Sequence, residues 1–131
     1  MRNARAKKPN KQKLADRAWE VFSRWIRKRD SDWRGYGRCI TCETVLKVPS
    51  GQANAGHWIH GKTKRTFFAE RNVHLQCRSC NYYKNGARDI YALKLIEKYG
   101  DGIIQEIHAI NKDKRPWGMK DYKAIIQKYG P

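Results

Sequence analysis

Four cysteines stand in two Cys-x-x-Cys pairs, Cys39-Ile-Thr-Cys42 and Cys77-Arg-Ser-Cys80, with 34 residues between them. Two thiolates on one tight turn can meet a single tetrahedral ion, so this spacing reads as a pair of zinc knuckles. Four thiolates complete the coordination shell and leave no position for water. The expected Zn²⁺ is therefore structural, and its binding couples to folding. Two disulfides are the competing reading for a small secreted chain. The basic N-terminus has no apolar stretch behind it and does not read as an export signal, so a reducing, cytoplasmic setting is expected.

Beside the knuckles lie further residues with chemistry. The chain reads Ala55-Gly56-His57-Trp58 on an expected strand, then Asn72-x-x-x-x-Cys77-x-x-Cys80-Asn81. A lone strand histidine is often simply packed, and an asparagine after a knuckle often caps the turn. The order of these residues, however, resembles the HNH, or ββα-metal, endonuclease family, and within it the endonuclease VII-like resolvases. The resemblance implies His57 as general base, Asn72 as a bracing residue and Asn81 as ligand of a catalytic Mg²⁺ or Mn²⁺. Phosphodiester hydrolysis needs such a base and such a cation, and an amide oxygen suits a hard ion. The residue before the base is usually an acid in that family and is Gly56 here. Asn54, His60 or an acid such as Glu70 would have to stand in for it.

A closer resemblance covers most of the chain. Leu14–Asp30, Arg38-Cys-Ile-Thr-Cys42, Ala55-Gly-His-Trp58, Asn72-Val-His-x-x-Cys-x-x-Cys-Asn81 and a later Tyr/Leu/Tyr-Gly pattern are similar to the phage lambda NinG (Rap) recombination family. That family is implicated in cutting branched recombination intermediates, which implies branched DNA (Holliday junction or D-loop) as substrate and host or phage recombination proteins as partners. Its strand usually reads Asp-Ala-Gly-His, and here Asn54 takes the acid's place. Junction recognition needs arms on two sides, a demand that a homodimer would meet.

These residues need elements to hold them. Residues 12–29 carry Leu14, Ala18, Val21, Phe22, Trp25 and Ile26 at helical steps, against a basic opposite face. Ser31–Arg38 reads as a loop, Thr44–Val48 and Ala53–Ile59 as a strand hairpin, and residues 60–71 as a basic loop. A helix is expected to run from the second knuckle to about Lys84. Three more are expected: one ending at Gly100, then Ile103–Ile110 and Lys120–Tyr129. The expected fold is a single α+β domain over residues 14–131, mostly helical, with a zinc-bound ββα core. Residues 1–13, with six Lys or Arg and no apolar spacing, read as a mobile basic tail.

Lys and Arg number 29 against 12 acids, giving a net charge of +17. Such a surface suits a polyphosphate, whose neutralisation releases counterions. No apolar run is long enough to span a membrane. Lys62, Lys64, Arg65, Arg78, Lys84 and Arg88 flank the proposed site and are expected to track the phosphate backbone. Tyr82 and Tyr83 are candidates to stack on unpaired bases. Trp58, His74 and His108 read as packing residues. Three functions follow: a structure-specific endonuclease, a general HNH nuclease, or a non-catalytic zinc-stabilised recombination accessory protein.

Overall fold

The computed structural model describes residues 10–60 and 63–130. Helix α1 (Lys11–Arg29) starts at Asn10, whose side chain accepts the Lys13 N–H at 2.8 Å and so satisfies a donor left open at the helix start. This cap draws residues 11–13 out of the expected tail and into the helix; the rest of that tail, residues 1–9, lies outside the described residues. The buried stripe of α1 packs on α5 (Met119–Tyr129) and on one face of a strand pair.

The described residues form two antiparallel two-stranded sheets. Strand β1 (Tyr36–Arg38) pairs with β2 (Val45–Lys47), and β3 (Ala53–His57) pairs with β4 (Val73–Cys77). The expected hairpin between 44–48 and 53–59 is thus corrected: the Pro49–Gly51 turn passes from one sheet to the other. The end of the 31–38 loop is likewise a strand. It lies so close to its neighbours that a Cβ at Gly37 would overlap the Asp30 carbonyl and sit 2.6 Å from Leu75 Cδ2. Within 60–71, the chain forms a short helix α2 (Lys64–Phe67), capped by Thr63, and a 3₁₀ turn at Glu70–Asn72.

After the second knuckle, a π-helical turn spans Ser79–Tyr83. Asn85, Gly86 and Ala87 then take positive φ and redirect the chain into α3 (Arg88–Tyr99), followed by α4 (Ile103–Ile110). The result is a small α+β fold, about half helical. No described helix is long and apolar enough to cross a membrane.

The β3–β4 pair is covered on both sides. Ala55 and Val73 join Phe22 and Phe68 under α1, while His74 on the other face meets Tyr91 and Tyr99 of α3. The end of α1 is fastened to β4 by an ion pair. Arg29 donates to Asp30 Oδ1 (2.7 Å) and to the carbonyls of Glu70 (2.9 Å) and Val73 (2.8 Å), while Asp30 Oδ2 accepts the Leu75 N–H at 2.9 Å. Burial works against the Asp30 charge, but Arg29 and the Leu75 amide outweigh it and hold the carboxyl below its usual range. Removing one partner leaves the other half-buried and uncompensated. Asp30→Ala is therefore expected to lower unfolding stability by roughly 3 kcal/mol in urea titration. Stability contributed by the depressed carboxylate is present above the ordinary Asp pKa of about 4 and is lost as pH falls below it, so this dependence should flatten in the variant.

Candidate metal and nucleic-acid site

The two knuckles come together. Cys39 follows β1, Cys77 closes β4, and the four Sγ atoms lie within 4.8 Å of one another, with Cys42 and Cys77 at 3.7 Å. A tetrahedron of Zn–S bonds near 2.3 Å has S···S edges of about 3.8 Å. The Cys42 N–H points at Cys39 Sγ (3.5 Å) and the Cys80 N–H at Cys77 Sγ (3.4 Å), donors that favour thiolates over thiols. Burial pushes the Cys77 thiol up to about 12, so without a cation this buried sulfur stays protonated. Soft sulfur ligands, closed geometry and backbone donors fit a structural zinc held by all four cysteines.

Beside the second knuckle, Asn81 Nδ2 donates to Asn54 Oδ1 at 3.4 Å, which brings two of the expected cation ligands together. Asn54 faces Gln76 across the strand pair. Gln76 is fully buried and donates to the Gly86 carbonyl (2.9 Å) and to Thr41 Oγ1 (3.2 Å), itself 3.2 Å from Cys39 Sγ. Among the described residues its Oε1 has no partner, and a Cβ on Gly56 would overlap that oxygen. Gln76 from β4 thus fills the space beside Gly56.

His57 lies three residues beyond Asn54, an odd step that turns its side chain to the other face of the strand. Only 6% exposed, its ring stacks on Trp19 (5.1 Å between centroids) and lies 4.3 Å from Phe67. Nε2 lies 3.0 Å from the Phe67 carbonyl, which can only accept, so Nε2 carries the proton. Among the described residues no hydrogen bond reaches Nδ1. Burial, then the neighbouring His60, lowers the His57 pKa to about 4 and keeps the ring neutral at pH 7. His60 is exposed, its ring centroid 5.6 Å from that of His57. Fully buried Asn72 accepts the Ile59 N–H (3.0 Å) and donates to the carbonyls of Ile59 (2.8 Å) and Thr66 (3.1 Å), tying the loop between them to β4.

A family model described as "Bacteriophage Lambda NinG protein" matches residues 1–130. The chain belongs to the NinG family. It is 34% identical to "Protein ninG" of Escherichia phage lambda over 113 residues, covering 86% of this chain and 52% of the relative. "Protein ninG" of Salmonella phage P22 is 35% identical over the same coverage, and that of Enterobacteria phage H19B is 31% identical over 109 residues, 82% of this chain and 50% of the relative. This NinG chain spans about half the length of the curated relatives it matches. No solved structure matches it.

Of the basic residues, Lys64, Arg65, Arg78, Lys84 and Arg88 are exposed, and Lys62 lies outside the described residues. Arg65 pairs with Asp113 at 3.6 Å, and Arg78 leans over the Tyr82 ring. Tyr82 and Tyr83 are 68% and 71% exposed, whereas Trp58 is buried with its indole N–H on the Arg88 carbonyl (3.2 Å). His74 is buried between two phenols, and burial followed by the Arg29 charge lowers its pKa to about 3. His108 packs edge-on against Trp58. Gln76 and Trp19 escaped the sequence reading. Trp19 belongs to a helical stripe that signals packing, and Gln76 stands at a polar position of an alternating strand, which reads as exposed although both faces are covered.

In the NinG chain the thiol cluster should bind one Zn²⁺ per chain, released when the thiols are titrated with a mercurial; Cys80→Ser should lose it and unfold at lower denaturant. A second expectation concerns pH. Both His57 and His74 have folded pKa values below the ordinary 6.5, so the stability they confer is complete above 6.5 and is lost as pH falls toward 4 and 3. Over pH 6 to 4.5, His74→Gln should reduce the slope of stability against pH by up to about 1.4 kcal/mol per unit.

Proposed function

We propose that this NinG chain is a metal-dependent endonuclease that cuts branched DNA. The observation that carries this reading is the state of His57: a neutral imidazole with Nε2–H committed to Phe67 and Nδ1 left by the described residues to accept a proton. It sits at the end of β3, in a strand–strand–turn unit whose final turn bears Asn81 beside Asn54. The amide oxygens of Asn54 and Asn81 would hold a Mg²⁺ or Mn²⁺, which supplies charge stabilisation to a phosphate when bound. His57 is the base of this reading. It lies on the face of β3 opposite Asn54 and Asn81, so reaching a water beside that cation would require the end of β3 to rearrange on DNA, while Asn72 keeps the adjoining loop in place. The net charge of +17 suits the polyphosphate substrate. Two copies of the chain would grip a four-way junction from two sides, with recombination proteins as further partners.

A second reading has its own observation. Gln76 occupies the space beside Gly56 into which an acid at that position would extend, and His57 is buried and weakly basic. Both features suit a DNA-binding accessory protein that does not cut.

Cleavage of a labelled four-way junction and a matched linear duplex in Mg²⁺ or Mn²⁺ separates the readings. The expected result is cutting of the junction alone, reduced at least a hundredfold in His57→Ala while zinc content and folding are retained. Equal cutting of both substrates would point to a general nuclease. Tight junction binding without cutting in either metal would leave the accessory role.

A further inference from the structure

Away from the Asn54–Asn81 contact, the chain between α1 and β1 turns sharply and presents Trp33. This indole is 92% exposed, against intermediate or buried positions for Trp19, Trp25, Trp58 and Trp117. Single exposed apolar side chains are common on surfaces. Trp33 differs in how firmly its backbone is held. Asp32 Oδ1 accepts the N–H groups of Arg34 (2.9 Å) and Tyr36 (3.0 Å), and Asp32 N–H donates to the Tyr36 carbonyl (2.7 Å). Gly35 closes the turn at φ +87°, a left-handed conformation that glycine adopts without strain, and its carbonyl accepts the Val48 N–H at 2.7 Å. The turn is therefore stiff and its tip is apolar.

Cations surround this tip. A cavity of about 380 Å³ beside Trp33 is lined by Arg24, Arg27 and Lys28 from the last turns of α1, with Val48 and Pro49 forming its apolar side. None of the three cations makes an ion pair with a described acid. Burial and the nearby Arg24 charge lower the Arg27 pKa, the mark of like charges crowded without an anion between them. Asp32, the one acid among the described residues that line the cavity, directs its carboxylate into the turn and toward Arg34. Arg34 also lies within 6 Å of the Trp33 and Tyr36 rings, leaving a flat aromatic surface edged by positive charge.

We infer that Trp33 is a stacking wedge for an unpaired nucleotide at a DNA branch point, with the adjoining phosphate held by Arg24, Arg27 and Lys28. The inference rests on the branched-DNA reading above and adds a contact surface separate from the cutting residues. An aromatic plane accepts any base, while the cations grip its backbone, so the wedge favours unstacked DNA over duplex without reading sequence.

The test is binding in zinc-replete buffer without Mg²⁺, where no cleavage occurs. Probes are an oligo(dT) single strand, a four-way junction carrying 2-aminopurine at its centre, and a linear duplex. Trp33→Ala is expected to bind the strand and the junction at least tenfold more weakly, with duplex affinity changed less than twofold. Trp33→Phe should restore most of the affinity, and wild type, but not the Ala variant, should quench the 2-aminopurine. Arg27→Gln should weaken all three probes and lower the salt dependence. Wild-type junction binding that Trp33→Ala leaves unchanged overturns the wedge alone. Failure of wild type to bind any probe overturns the DNA reading and the wedge together.

Discussion

Burial of the β3–β4 ribbon on both faces is the constraint on which the rest of the molecule depends. A two-stranded ribbon is marginal in water by itself. Here α1 and the loop bearing Phe68 cover one face, and α3 with the turn after the second knuckle covers the other. Every side chain of β4 is buried, including His74 and Gln76. A polar group so placed needs a partner, so the surroundings are organised around meeting that need. Tyr91 shows how. Its hydroxyl donates to the Gly56 carbonyl (2.7 Å) and so offers only an oxygen to His74 Nδ1–H, leaving Nε2 to accept from Tyr99 (2.7 Å).

The knuckles extend this ribbon outward. Cys77 ends β4, Cys39 follows β1, and the Ile40 N–H donates to the Leu75 carbonyl at 2.9 Å. The small outer sheet is thus joined to the inner one by a few hydrogen bonds, by the thiol cluster and by Leu46 packing on Ala53 and Leu75. A chain of this size buries a limited core, and a cation at that junction would add to the small apolar cluster that joins the two sheets. The same closure sets the turn that carries Asn81, so a structural centre and a candidate reactive one share a backbone segment.

Much of this was legible in the residues. The helices α3, α4 and α5 follow from apolar spacing and stop signals, and their bounds lie within a residue or two of those expected. The cysteine spacing anticipated the cluster. What escaped was pairing. Thr44–Val48 and Ala53–Ile59 sit on either side of a turn signal and read as partners, yet each prefers a strand more distant or hidden in sequence. Strand β1 is only Tyr-Gly-Arg, without strand-like periodicity. Strand β4 carries His and Gln at buried positions, which disguises a fully covered strand as a polar one. The separation of His57 from Asn54 and Asn81 onto opposite strand faces follows from alternation alone, once β3 is recognised.

The interlock of Gly56 with Gln76 bears on how such a chain can change over generations. The glycine leaves room that the carboxamide fills, and the carboxamide in turn spans from the turn at Gly86 to the threonine beside Cys39. While Gln76 is kept, position 56 has no room for a side chain. An acid introduced at 56 would have to arrive with a smaller residue at 76, and that residue would forfeit two hydrogen bonds at the knuckles. A carboxylate at 56 is therefore shut out on steric grounds for as long as Gln76 keeps its two hydrogen bonds.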